Sequence, residues 1–172
     1  MFEQSTRILP LLLAVTAGIL DWRSMRIPNW LTLPALVIGF AVNAWLRGWV
    51  GAKNSLLGAG LGLGVLLWFV MRRILGAGDW KLVGALGAFY GPGKLLDVLF
   101  LTVLVNGLIG LGLLIKKRRV LQTVRNMGRL LASLFGFPPP YPELTVDDPK
   151  SIKVRFGVAV AIAVVLYTVL GA

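Results

Sequence analysis

Seven acidic residues stand in a chain of 172 that contains neither histidine nor cysteine. That combination narrows the chemistry open to it. Without Cys or His there is no disulfide, no Cys- or His-built metal site, and no Ser-His or Cys-His nucleophile pair. Carboxylates are the acid/base groups that remain. Glu3, Glu143, Asp147 and Asp148 lie in polar segments. Asp97 begins an apolar block near Lys94, where an acid complements a helix N-terminus. Asp21 and Asp79 are different, since each borders an apolar block on the same side of the expected membrane. An acid at membrane depth is costly and is a functional candidate for that reason. Two facing carboxylates share one proton: the ionised member activates water, and the protonated member donates to a carbonyl oxygen. That is chemistry suited to peptide-bond hydrolysis.

The neighbours of these acids suit the task. Gly76 and Gly78 let the backbone turn tightly and admit an extended strand beside Asp79. Lys81, two residues on, anchors that loop or biases its field. Plainer roles compete with these. Asp79 can N-cap the segment it opens, and Asp21 can pair with Arg23 or Arg26 at a membrane edge. A non-enzymatic membrane transporter or assembly protein, binding cations or protons through the same aspartates, is the alternative functional reading. The Asp-Trp-basic triplets at 21–23 and 79–81 are its hint of repetition.

The elements that must position these acids are membrane helices. Hydrophobic residues make up 57% of the chain and mean hydropathy is +0.81, above the usual soluble domain. The apolar residues form blocks approaching the roughly 20 residues needed to cross a bilayer. Six segments are expected: Ser5 to Leu20, Trp30 to Leu46, Ser55 to Met71, a short one from Asp79 to Tyr90, Leu95 to Ile115, and Ile152 to Leu170. The first has an Arg7-plus-leucine look of a signal peptide, but no small-residue cleavage site follows it, so a retained helix is expected. The expected fold is thus all-α, a single polytopic membrane domain over 1–172 built as a six-helix bundle.

Charge orients the bundle. With the N-terminus outside, the inner loops hold 14 of the 18 basic residues and the outer side holds Arg7, Arg47, Lys53 and Lys94. This asymmetry predicts N-out and C-out. It also accounts for the net charge of +11 without nucleic acid, for which no aromatic-basic platform is present. If Gly91 marks the outer boundary, Asp79 lies about 18 Å inward along a straight helix, hence about 12 Å below the inner edge of a 30 Å core. Gly58/Gly62 and Gly60/Gly64 form two small-xxx-small pairs expected to pack helices. Gly91-Pro92-Gly93 reads as an outer turn. Residues 116–151 form a cytoplasmic loop in which 120–134 read as an interfacial amphipathic helix, followed by a Pro-rich linker at 137–142.

Two motifs then align with a known family. Asp21-Trp22-Arg23-Ser24-Met25-Arg26-Ile27-Pro28-Asn29 resembles the D-x-[RK]-x-x-x-I-P-N segment of type IV prepilin peptidases. Gly76-Ala77-Gly78-Asp79-Trp80-Lys81 is similar to their G-x-G-D-x-K motif. The resemblance implies a cofactor-free peptidase of the cytoplasmic membrane, with Asp21 and Asp79 catalytic and Arg23, Pro28, Asn29, Gly76, Gly78 and Lys81 shaping the site. It implies a prepilin or pseudopilin substrate whose basic leader is cut on the cytoplasmic side, within membrane lipid. Longer members carry an extended loop after the first segment, often with paired cysteines, associated with N-methylation. Here only Asp21 to Asn29 fills that connection, which resembles the short form found with Flp/Tad pili. Family members often show Pro-Tyr-Gly near the last helix; this chain has Arg155-Phe156-Gly157.

Overall fold

A computed structural model describes residues 2–72, 75–117 and 155–170. The expected 116–151 loop, with its interfacial helix and proline linker, lies almost wholly outside the described residues. The described elements are helices: α1 Phe2–Ser24, α2 Asn29–Met71, α3 Ala77–Lys117 and α4 Phe156–Leu170. α2 runs for 43 residues and α3 for 41, about twice what a bilayer requires. Each is broken by one glycine. Gly48 has φ 57° and ψ −141°, and Gly91 has φ 73° and ψ 177°, backbone states that strain any residue with a Cβ.

The breaks are reversals. Gly51 comes up against the Asn43 carbonyl, whereas eight residues of straight helix would separate them by about 12 Å. The sequence suggests a loop between Leu46 and Ser55; the structure needs only Gly48, because one left-handed residue suffices to turn the chain. The limb 49–71 then runs antiparallel to the limb 77–90, with Gly58 against Gly87 and Gly62 against Val83. Trp80 Nε1 donates to the Leu63 carbonyl at 2.6 Å on the same seam. The limb 29–47 runs parallel to 77–90, with Asn29 beside Lys81 and Gly39 beside Ala88. Beyond Gly91 the chain doubles back, bringing Leu95 to the level of Gly62.

Only one of the two glycine pairs is used. A Cβ on Gly58 would strike Gly87 and Gly91, and one on Gly62 would lie 2.9 Å from the Val83 carbonyl, while Gly60 and Gly64 meet nothing within 4 Å. The close backbone approach therefore lies on one face of the limb. Asn43, buried in that region, closes a second gap. Pro92 has no N–H for the Ala88 carbonyl, and the Gly91 break takes the next donor away from Phe89. Asn43 Nδ2 donates to both carbonyls, at 2.9 and 3.1 Å.

α4 lies antiparallel to α1. Gly18 abuts Ala161, and Tyr167 meets Tyr90 edge-on at 5.8 Å between centroids. The interior is built from Leu13, Ala14, Ala17, Leu82, Val83, Leu86, Leu95, Val98, Val160 and Val164. The exterior is just as apolar: Trp45, Leu56, Phe100, Leu108 and Val169 are exposed. Water would not tolerate such a surface, but lipid does. Among the described residues two helices, Asn29–Met71 and Ala77–Leu113, are long and apolar enough to cross a membrane, and both are mostly exposed, unlike the core helix of a soluble protein.

Candidate functional site

Three stretches of chain meet at one end of the bundle: 21–29, 76–81 and 155–158. Their local structure explains the meeting. α1 ends at Ser24, and Met25 takes a left-handed φ of 51° while its N–H bonds the Asp21 carbonyl at 2.9 Å, an unusual conformation for a non-glycine helix end. Pro28 then stands as the N-cap of α2 with φ −75° and ψ 147°, the extended backbone usual at that position. Its carbonyl accepts from Leu31 at 3.1 Å. α1 and α2 are thereby joined through a few residues.

Gly78 docks the second motif onto the first. A Cβ there would lie 2.9 Å from the Ile27 carbonyl and 3.1 Å from Ile27 Cβ, so glycine is required for the approach. Lys81 Nζ adds a 3.0 Å hydrogen bond to Asn29 Oδ1. α3 starts at Ala77, and the Gly76 carbonyl accepts from Trp80 N–H at 3.2 Å, so Asp79 stands within the first turn rather than at the N-cap. Its carboxylate reaches back to the Gly76 backbone, the geometry of the acidic half of a capping box.

Asp21 is buried to 6% exposure. It faces the start of α4, where its carboxylate accepts backbone hydrogen bonds from Gly157 and Val158 and senses the charge of Arg155. Oδ2 is buried without a protein partner. A Cβ on Gly157 would sit 2.9 Å from Asp21 Cβ and 3.1 Å from Oδ2. The Arg155 guanidinium stacks 4.4 Å above the Trp22 ring. Asp79 is half-buried and lies within electrostatic range of Asp21. The two acids thus share one neighbourhood, in which Gly76 borders Asp79, Gly78 rests on Ile27 and Lys81 reaches Asn29.

Arg23 points elsewhere. It is exposed and lines an apolar cleft of about 280 Å³ with Val15, Gly18, Ile19, Trp22, Val158, Ala161 and Ile162. The charged neighbour of Asp21 from α4 is Arg155, not the nearby Arg23 or Arg26 that its own segment suggests. Ile27 and Gly157 also belong to the site, although the spacing of the aspartates does not single them out. Arg155-Phe156-Gly157 had a signal, as a variant of a recurring turn before the last helix, but nothing in it names Asp21 as the partner.

The chain matches the model of the Type IV leader peptidase family over residues 8–113; it belongs to that family. Curated relatives include a "Prepilin leader peptidase/N-methyltransferase" of Xanthomonas campestris, 33% identical over 132 residues, covering 73% of this chain and 45% of that protein. The protein of the same name from Escherichia coli K12 is 34% identical over 121 residues, covering 64% and 52%. That of Aeromonas hydrophila is 37% identical over 108 residues, covering 59% and 37%. The chain spans about half or less of the length of these relatives. No solved structure matches it. Family and apolar helices together mark a membrane protein.

Proposed function

We propose that the chain is a membrane-embedded aspartyl endopeptidase that removes the basic leader from type IV, Flp-like prepilins or pseudopilins. The observation that carries this reading is the convergence of Asp21 and Asp79, held in electrostatic range by interlocking of the segments around them. In the proposed mechanism one carboxylate takes a proton from water as the hydroxide oxygen attacks the scissile carbonyl carbon. The other carboxyl gives its proton to the carbonyl oxygen, producing a tetrahedral diol. The C–N bond then breaks as the leaving nitrogen takes the proton held by the first carboxyl. A diol hydroxyl returns one to the second, restoring both groups.

The limbs of α2 and α3, divided at Gly48 and Gly91, supply four crossings in this reading, and α1 and α4 supply two. The basic residues place both chain ends outside and the aspartates on the cytoplasmic side of the inner membrane. The short turn from Ser24 to Asn29 leaves no domain between α1 and α2, and we assign the chain no N-methyltransferase activity.

The test is co-expression with a candidate Flp-type prepilin, scoring leader removal by gel shift. The parent is expected to cleave. Asp21→Asn and Asp79→Asn are expected to lose activity by a factor on the order of 10² to 10⁴, the usual worth of a general acid or base. Cleavage retained by either variant would sink the two-carboxylate mechanism.

A further inference from the structure

The start of α4 poses a problem that Asp21 solves. The Arg155 carbonyl accepts the first helical bond of α4, from Ala159 N–H at 3.3 Å, which makes Arg155 the N-cap. Arginine has no side-chain acceptor, so it cannot satisfy the free N–H groups of the first turn as Ser, Thr, Asp or Asn would. Asp21 supplies the missing acceptor from α1, taking the N–H groups of Gly157 and Val158. The carboxylate therefore sits at the positive end of a 15-residue helix, with the Arg155 charge beside it. Asp79 takes one backbone hydrogen bond, from Gly76. Among the described residues, the other charged side chains at this end are Arg23 and Arg26, both exposed, Arg72, which stacks 4.9 Å over the Trp68 ring, and Lys81, which is bonded to Asn29.

On the strength of that asymmetry, and resting on the peptidase reading, we propose that Arg155 and the first turn of α4 divide the labour of the pair, seating its negative charge on Asp21 so that Asp21 draws the proton from water while Asp79 donates to the substrate carbonyl. Arg155 is a positioning residue in this scheme. Its guanidinium stacks 4.4 Å from the Trp22 ring, and its Nε is buried without a hydrogen-bond partner; what the scheme requires of it is its charge, with or without the stack. The Asp21 carboxylate, one oxygen of which has no protein partner, receives the proton as the water oxygen bonds to the carbonyl carbon. That proton passes to the leaving nitrogen when the C–N bond breaks, while Asp79 first gives a proton to the carbonyl oxygen and then recovers one from the diol.

The experiment uses the full chain in detergent or native membranes, with a fluorogenic prepilin-derived substrate and thermal unfolding measured in parallel. Arg155→Gln is expected to lower kcat by about tenfold or more, a fraction of the worth of a complete acid or base, with KM within about threefold and unchanged unfolding. Arg155→Lys keeps the charge and is expected to restore most of kcat. Trp22→Leu removes the stack but not the charge and is expected to stay within about threefold of the parent. Parental kcat in Arg155→Gln, or equal loss in Gln and Lys variants, overturns the proposal. If Arg155→Gln does not accumulate, Arg155→Lys and Trp22→Leu decide it, and a large kcat loss in both overturns it. Asp21→Asn runs alongside. Cleavage by that variant defeats the peptidase reading itself, whereas its inactivity beside a fully active Arg155→Gln defeats this inference alone.

Discussion

Asp79 is held by residues that lie close to it in the chain or inside the other motif: Gly76 bonds its carboxylate, Gly78 rests on Ile27, and Lys81 reaches Asn29. Asp21 is held by the opposite end of the chain, where Gly157 and Val158 give it hydrogen bonds and Arg155 gives it charge. The first support forms with local turns and one helix pairing. The second exists only after α4 has come back across the bundle to lie against α1. One aspartate is fixed by motif and the other by tertiary closure, so damage to the two should differ in kind as well as in size.

The largest separation is expected between two alanine substitutions. In Gly157→Ala the new Cβ meets Asp21 itself, 2.9 Å from its Cβ and 3.1 Å from Oδ2, with Ile27 Cδ1 also at 3.1 Å. The acid must move, and a shift of about 1 Å at a reacting group costs about 10²-fold in rate. In Gly78→Ala the clash is with the Ile27 backbone, at 2.9 Å from its carbonyl oxygen. There the strain falls on the contact between motifs, so stability should drop by about 1–3 kcal/mol and kcat by about tenfold. Single-turnover cleavage and unfolding of both variants test the contrast. Equal rate losses would show that the two supports are interchangeable.

These contrasts mirror what the sequence reveals. The apolar blocks, their glycine and proline breaks, and the two aspartates are legible because each follows from composition or local chemistry. The choice between Gly58/Gly62 and Gly60/Gly64 is not. Both pairs have the same spacing, and only the arrival of Gly87 and Val83 decides which face is used. Gly48 is similarly hidden, since a one-residue reversal leaves no polar loop to read. Arg155 carries the clearest lesson. Beside Asp21 the sequence offers Arg23 and Arg26, but α1 directs Arg23 outward, and the partner enters from a helix that no local pattern links to it.

Asn43 extends the comparison to the far end of the Asp79 limb. Asn43→Leu would leave the Ala88 and Phe89 carbonyls without the donor that replaces the N–H groups lost at Pro92 and Gly91. An unsatisfied buried acceptor costs about 1–3 kcal/mol. The expected result is a lower unfolding temperature with kcat of the folded fraction close to the parent, because the fault lies far from the acids. A kcat loss matching Gly157→Ala would instead mean that Asp79 depends on distant packing as much as Asp21 does.

The smallest effect is expected at Lys81. Its hydrogen bond to Asn29 is of ordinary length, 3.0 Å, and solvent-exposed, and exposed polar pairs contribute little because water competes for both partners. Gly78 against Ile27 already fixes the same two motifs by buried backbone contact. Lys81→Met should therefore change cleavage by less than about threefold, and added salt should have little further effect on the variant. If Lys81→Met instead loses activity on the scale of Gly78→Ala, with unfolding unchanged, then Lys81 acts on the charge of the acid pair. The region around Asp79 would then need an electrostatic support of its own, as Asp21 has in Arg155.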